Sequence, residues 1–324
     1  MRVSLVEQIH LQGVVSPELS GKRLDQALAL LFPDYSRSRL QGWIREGRVH
    51  VDGKQRKPKE KVWPGERIVL QAVLESVDSC QPEAIPLDLL YEDEHLLVVN
   101  KPAGLVVHPA AGNWSGTLQN ALLHHDPALA GLPRGGIVHR LDKDTTGLLV
   151  VARNLRTHKR LVELLQAREI KREYMAVVNG LPAAGGTVDA PIGRHPVNRV
   201  RMAVVASGKP ARTHYRIKER FRNHSLLDVQ LESGRTHQIR VHMAYIHYPL
   251  LGDPVYGGRL KLPSGASDET IKLLQKFGRQ ALHARRLSLV HPVSGQAMAW
   301  ESPLPEDFSS LLEGLRQDRE EHGT

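Results

Sequence analysis

One cysteine, Cys80, stands in a chain of 324 residues. That excludes an intrachain disulfide framework and any cysteine-rich zinc site. No apolar run approaches the ~20 residues needed to span a bilayer, and Met1–His10 has no apolar core segment of the kind a secretory signal carries. A soluble, cytoplasmic protein without membrane contact is the expectation. There is no Gly-x-x-x-x-Gly-Lys-Ser/Thr loop and no Gly-x-Gly-x-x-Gly opening a helix, so the common phosphate-cradling and dinucleotide sites are missing. No His-Glu-x-x-His occurs, and His237 and His242 lie five apart, a poor spacing for one helix face. The 17 histidines, among them His124, His125 and His139, therefore suit RNA contacts or helix capping better than metal ligation. No cofactor and no metal is expected. Internal repeats and low-complexity tracts are absent as well.

What the chain does have is apolar content and positive charge. It is 41% hydrophobic, enough for a sizeable core, and its length suggests about two domains. Its net charge of +9 favours an anionic partner. Residues 18–74 read as a first unit. Leu24, Ala27, Leu28 and Leu31 recur at helical spacing after Gly21. A second helix opens at Ser36-Arg37-Ser38-Arg39, with Ser36 or Ser38 as N-cap, runs through Leu40, Trp43 and Ile44, and ends at Gly47. Val49, Val51 and the Asp52-Gly53 turn read as a hairpin. From Ser36 to Lys61 nine Lys/Arg face three Asp/Glu. An excess spanning a helix start and the next hairpin points to phosphate contact rather than to a merely solvated face.

The sign then reverses. From Glu75 to Glu94 there are seven acidic residues and no Lys or Arg, and the proline-bearing stretch 75–86 reads as a linker. Residues 87–312 read as one α+β domain. Leu96–Asn100 is a strand, Lys101–Gly104 a turn and Leu105–His108 a return strand. Thr117–His125, Arg156–Arg168 and Arg235–His247 read as helices. Leu148–Ala152, Tyr174–Asn179 and Ser225–Leu231 read as strands. The elements do not alternate regularly, which argues against a doubly wound parallel sheet. A second basic stretch, Arg194–Arg222, holds nine Lys/Arg, including Arg199, Arg201, Lys209, Arg212 and Arg216, against one acid, Glu219.

Chemistry concentrates in the segment Gly136–Arg153, where a polar loop lies between two apolar runs. Rigid flanks can aim such a loop. Asp142 sits between Leu141 and Lys143, with Arg140 two positions back. A carboxylate placed so can be desolvated yet kept ionised by a cation, as a nucleophile or base requires.

Several segments together resemble one family. Gly136–Gly147 resembles the signature loop of the RluA-type pseudouridine synthases, Arg172-Glu173-Tyr174 the second motif, and Ser233–Met243 the third, extended by Pro249–Gly258. Residues 18–74 resemble an S4 RNA-binding domain. The resemblance implies an α+β fold with a mixed, mainly antiparallel central sheet flanked by helices, plus a small S4-like α/β unit. It implies an isomerase that converts uridine to pseudouridine in RNA, with 23S rRNA or a large-subunit precursor as partner; a monomer is expected, although the chain carries no sign of its oligomeric state. Asp142 is then the essential carboxylate, Tyr174 packs against the uracil and Arg240 holds the Asp142 charge, with Arg235 the alternative cation. Arg140, His139, Leu141, Thr145, Arg235, His237 and Gln238 would meet the substrate nucleotide. Ser36, Arg37, Ser38, Arg39, Arg48 and Lys54 would meet RNA from the first unit. An enzyme acting on a base must expose it, usually by flipping it from the stack, and Arg140 is the candidate to occupy the gap.

Two other readings compete. A glycosidic-bond hydrolase commonly uses two carboxylates, and on an extended segment Asp142 and Asp144 would point the same way, although Asp144 also suits a turn or cap. A non-catalytic RNA-binding or ribosome-assembly protein would need only the first unit.

Overall fold

A computed structural model of the chain describes residues 6–33, 35, 37–75, 80–110, 112–198 and 201–322. Ser36, Arg199 and residues 76–79 of the expected linker lie outside the described residues, as do the side chains of Ser38 and Arg39. The chain divides into two compact units, Met1–Ser79 and Cys80–Thr324. Among the described residues no helix is long and apolar enough to cross a membrane.

The first unit contains β1 (Val6–Val14), α1 (Leu24–Leu31), α2 (Arg37–Arg45), β2 (Val49–Val51), β3 (Lys54–Gln55) and β4 (Arg67–Glu75). The strands form an antiparallel sheet in the order β1-β4-β2-β3. Helical spacing puts Leu24, Ala27 and Leu28 of α1, and Leu40, Trp43 and Ile44 of α2, into one core with Val49, Val51, Ile68 and Leu70. Asp52 (φ 48°) and Gly53 (φ 74°) both take the positive φ that a tight two-residue hairpin needs. β1 lies ahead of residue 18 and pairs with β4 from Val6↔Glu75 to Val14↔Arg67. Its polar composition hides it from a periodicity reading. Arg48 and Lys54 are exposed, whereas Arg37 turns its guanidinium onto the buried Asp25, with Nη2 2.7 Å from Oδ2.

The second unit begins with β5 (Leu89–Glu92), β6 (Leu96–Lys101), α3 (Leu118–His125), β7 (Thr146–Ala152), α4 (Leu155–Gln166) and β8 (Lys171–Asn179). It continues with β9 (Gly186–Asp189), β10 (Ile192–Arg194), β11 (Met202–Val204), β12 (Arg212–Arg220), β13 (His224–Leu231) and α5 (Gln238–Tyr245). It closes with α6 (Asp268–Lys276), β14 (Leu282–Val290), β15 (Ala297–Glu301) and α7 (Glu306–His322). One sheet runs β5-β6-β7-β14-β8-β13-β12-β9, with β15 also on β14. Among the described residues its only parallel pairing is β7 with β14, so the sheet is mixed and mainly antiparallel, as expected. β7 is buried along its whole length, which fits its unbroken apolar run. Residues ahead of β5 belong to this unit: the Asn120 side-chain amide donates to the Gln81 carbonyl (2.7 Å), and the Gly116 N–H donates to Glu83. At the other end Phe308, Leu311, Leu312 and Leu315 of α7 are buried.

Two sequence expectations fail here. Leu105–His108 is not a return strand. Both edges of β6 are already occupied, by β5 and β7. The buried Lys101 ammonium also pulls the turn inward, donating to the carbonyls of Pro102 (2.7 Å), Leu105 (2.9 Å) and Lys143 (2.8 Å). The helix expected over 235–247 begins only at Gln238, because His237 takes a left-handed conformation (φ 57°) and the Gln238 side-chain amide oxygen accepts the Arg235 N–H.

Several imidazoles of this unit are shielded from water. Burial is the main cause that pushes His108, His224 and His283 down to about 4 and His139 down to about 3. Because the folded values lie below the ~6.5 of a free histidine, their stability contribution is complete above that pH and is lost as pH falls toward the folded values. Each group adds at most ~1.4 kcal/mol per pH unit to the slope. The expected result is a lower urea midpoint for the Cys80–Thr324 unit at pH 5 than at pH 7.5; an equal or higher midpoint at pH 5 contradicts it.

Candidate active site

The loop ahead of β7 is pinned at both ends by glycines that close packing requires. A Cβ on Gly136 (φ 81°) would lie 1.9 Å from the Ala152 carbonyl oxygen, and one on Gly147 (φ 108°) 2.2 Å from that of Ala284. Between them Asp142–Thr145 makes a turn, in which the Thr145 N–H donates to the Asp142 carbonyl at 3.1 Å. The turn is held from beneath by Lys101 through the Lys143 carbonyl, by Arg279 through the Asp144 carbonyl (3.2 Å), and by Gln280 through the Thr145 hydroxyl (3.0 Å). The segment is thus a turn and not an extended strand. Asp142 lines the pocket beside it and Asp144 does not.

Three side chains converge on Asp142. From α5, Arg240 places Nη1 3.0 Å from Asp142 Oδ2, while its Nε and Nη2 grip Asp253 at 2.7 and 2.9 Å. Asp253 is itself fixed by the Val255 and Tyr256 N–H groups, at 2.8 and 3.0 Å from Oδ1. Arg240 is 5% exposed, so the surface placement that would make it an idle cation is excluded. Burial works against its charge, but Asp253 and Asp142 outweigh that and raise its pKa. Asp253 balances likewise: burial pushes it up, and the bidentate Arg240 pair more than offsets this, holding it below the usual carboxylate range. The result is a charged relay, Asp253–Arg240–Asp142, in which one forked guanidinium positions the loop carboxylate. The nearby cation favours the ionised form that nucleophilic or base chemistry needs.

His237, at the N-terminal end of α5, lies 3.8 Å from Asp142 through Nε2 and bonds the Tyr256 hydroxyl at 2.9 Å through Nδ1. Burial lowers its pKa and Asp142 pulls the other way; the net direction is downward. Its left-handed backbone is a strained position of the sort that clusters at functional sites. From β8, Tyr174 presents its ring to the same pocket, 6% exposed, with its phenol pKa raised chiefly by burial. Arg140, Leu141, Thr145 and Arg235 also line this pocket.

Two expected substrate contacts look different in place. Gln238 lines the pocket, but its amide is fully engaged inside the protein. Its oxygen accepts from Ser233 and from the Arg235 N–H, and its nitrogen donates to the Arg212 carbonyl and the Thr213 hydroxyl. His139 lies outside the pocket, in an adjoining cleft. Its Nε2 accepts the Val150 N–H at 3.1 Å, which fits a neutral imidazole. Lys101, Arg172, Asp253, Tyr256, Arg279 and Gln280 received no role from the sequence. Asp253 and Tyr256 lie inside the Pro249–Gly258 segment, and Arg172 two residues before Tyr174, so only those three carried a signal.

The family profile described as RNA pseudouridylate synthase matches residues 95–245, and the S4 domain profile matches residues 22–68. The chain is 58% identical over 319 residues to the ribosomal large subunit pseudouridine synthase D of Escherichia coli O6:H1, covering 98% of each chain. It is 59% identical over 303 residues to the protein of the same name from Pseudomonas aeruginosa, covering 94% of this chain and 95% of the relative. Among solved structures, human RNA pseudouridylate synthase domain containing 4 is similar with a TM-score of 0.55 and 28% identity, over 70% of this chain and 92% of that one. With near full-length identity of this order, and both expected domains matched, the chain belongs to the RNA pseudouridylate synthase family.

Proposed function

We propose that this protein isomerises specific uridines to pseudouridine in 23S rRNA of the large ribosomal subunit, with Asp142 as the essential carboxylate. The observation that carries the reading is the convergence of Asp142, Arg240 and Tyr174 on one pocket, in a chain whose relatives are named for this activity. In the reaction the N1–C1′ bond breaks, uracil rotates, and C5 bonds to C1′. The C5 proton leaves and N1 gains one, so the RNA keeps its mass. Asp142 acts at the ribose, as nucleophile on C1′ or as base on a ribose proton. Arg240 holds it in place, and Tyr174 stacks on the detached base.

A hydrolase needs a second carboxylate at the bond, and Asp142 is the only carboxylate among the described residues lining the pocket. The basic first unit supplies the general RNA grip, with Arg48 and Lys54 exposed for phosphate. The reading has the protein acting as a monomer in the cytoplasm. The test is to map pseudouridine in 23S rRNA from cells with and without this gene, and to treat rRNA from the deleted cells with purified protein. Specific sites should vanish on deletion and return in vitro at constant RNA mass. An unchanged map, or abasic RNA with free uracil, overturns the reading.

Tyr174→Phe keeps the ring and removes the hydroxyl, which has no hydrogen-bond partner among the described residues. Stacking should survive, so single-turnover rate should stay within about tenfold of the parent (under ~1.4 kcal/mol). Complete loss would move the role from the ring to the hydroxyl.

A further inference from the structure

Beside the catalytic pocket lies a cleft of about 600 Å³, within the ~300–1,000 Å³ typical of ligand sites. Six arginines line it: Arg134, Arg140, Arg168, Arg172, Arg212 and Arg235. Its two carboxylates, Asp189 and Glu232, are already engaged. Arg212 takes Asp189 at 2.6 Å, and Arg212, Arg168 and His214 share Glu232. Arg134, Arg140, Arg172 and Arg235 have no carboxylate partner among the described residues.

Arg172 is the informative one. It is 6% exposed, its Nε has no hydrogen-bond partner, and it lines both the cleft and the catalytic pocket. On β8 it stands two residues from Tyr174, hence on the same face of the strand. A buried guanidinium without an anion carries an uncompensated desolvation cost, and its planar fork matches a phosphate bidentately. Two further buried nitrogens on the cleft wall also lack partners, His108 Nδ1 and His139 Nδ1. Gly234 leaves room for the head group: a Cβ there would lie 2.8 Å from Arg172 Nη1. The arrangement is a built anion site that the protein's own groups leave unfilled.

We propose that Arg172 binds the backbone phosphate next to the target uridine, and that the arginine cleft holds the flanking nucleotide, so that engaging this phosphate seats the flipped base against Tyr174. The inference rests on the RNA-isomerase reading above and adds a positioning residue to it.

The test uses full-length protein and an rRNA fragment containing a mapped site, with single phosphates near the uridine replaced by neutral methylphosphonate. One replacement, within two nucleotides of the target, should weaken binding to the parent protein about 10- to 100-fold, the size of one charge-assisted bond. Arg172→Met should weaken binding to unmodified RNA by a similar factor and lose no more on the modified RNA. It should also lower the slope of log affinity against log salt by ~0.7. Its thermal midpoint should not fall, since an unpaired buried charge has been removed. Arg172→Lys should recover part of the affinity. Additive losses for protein and RNA changes, or Arg172→Met binding as the parent does, overturn the proposal. So does the absence of any sensitive phosphate near the uridine, a result independent of any variant's folding. Failure of the parent protein to form pseudouridine in the fragment would instead sink the functional reading beneath it.

Discussion

Replacing Asp142 with Ala or Asn should lower the single-turnover rate of pseudouridine formation by about 10,000-fold or more, the scale on which removal of an essential nucleophile or base acts. RNA affinity should change little, because the carboxylate contributes nothing attractive toward a polyanion. Stability should also hold. Arg240 keeps its bidentate grip on Asp253 at 2.7 and 2.9 Å, so no buried charge is stranded, and the loop stays fixed by Lys101, Arg279 and Gln280 through groups other than the Asp142 carboxylate. A change of no more than about 1 kcal/mol corresponds to ~2–4 °C in a domain of this size. Asn tests charge at nearly constant shape, and Ala removes the side chain. Full activity in either variant would end the assignment of Asp142.

Arg240→Met should act on stability and rate together. It leaves Asp253 buried and ionised without its partner, a loss that typically costs about 3–5 kcal/mol, or roughly 6–20 °C in thermal midpoint. It also releases Asp142 from the 3.0 Å contact that aims it. The two effects separate in the double variant Arg240→Met with Asp253→Asn, whose side-chain oxygen can still accept the Val255 and Tyr256 N–H groups. Neutralising both members of a buried pair leaves no charge uncompensated. The double variant should therefore recover most of the lost midpoint while the rate stays low. If rate returns along with stability, Arg240 is a structural support only, and its part in orienting Asp142 falls.

Much of the sheet was legible because burial leaves a periodic trace. β7 is an unbroken apolar run, buried at every position. In α1, Leu24, Ala27 and Leu28 recur at the helical period and reach the core. β14 and α7 escaped although both bury apolar residues; other elements that escaped have weaker traces. β12 reads Arg-Thr-His-Tyr-Arg-Ile-Lys-Glu-Arg and is half exposed along its length. β9, β10 and β11 are three or four residues long. β1 is a polar strand whose place depends on β4, some sixty residues away.

The site divides in the same manner. Asp142 stood out from the polarity of its own loop, whereas Tyr174 and Arg240 were named only through the family resemblance of the motifs that hold them. Asp253 and Arg172 could not be given roles. What matters about them is a contact across the fold in one case and the lack of one in the other, and neither is written in neighbouring residues. Lys101 looks like a turn lysine in the chain, yet it is wholly buried beneath the Asp142–Thr145 turn.

The sequence by itself determined the two-part organisation, the basic character that calls for a polyanion, and the identity of the loop carboxylate, because composition and short motifs are local properties. Only the tertiary structure decided that Arg240 is shared between Asp142 and Asp253, that Asp144 is turned out of the pocket, and that Arg172 stands buried without an anion. Those are questions of which groups meet at about 3 Å in a medium that screens charge poorly, and the folded backbone alone sets those distances.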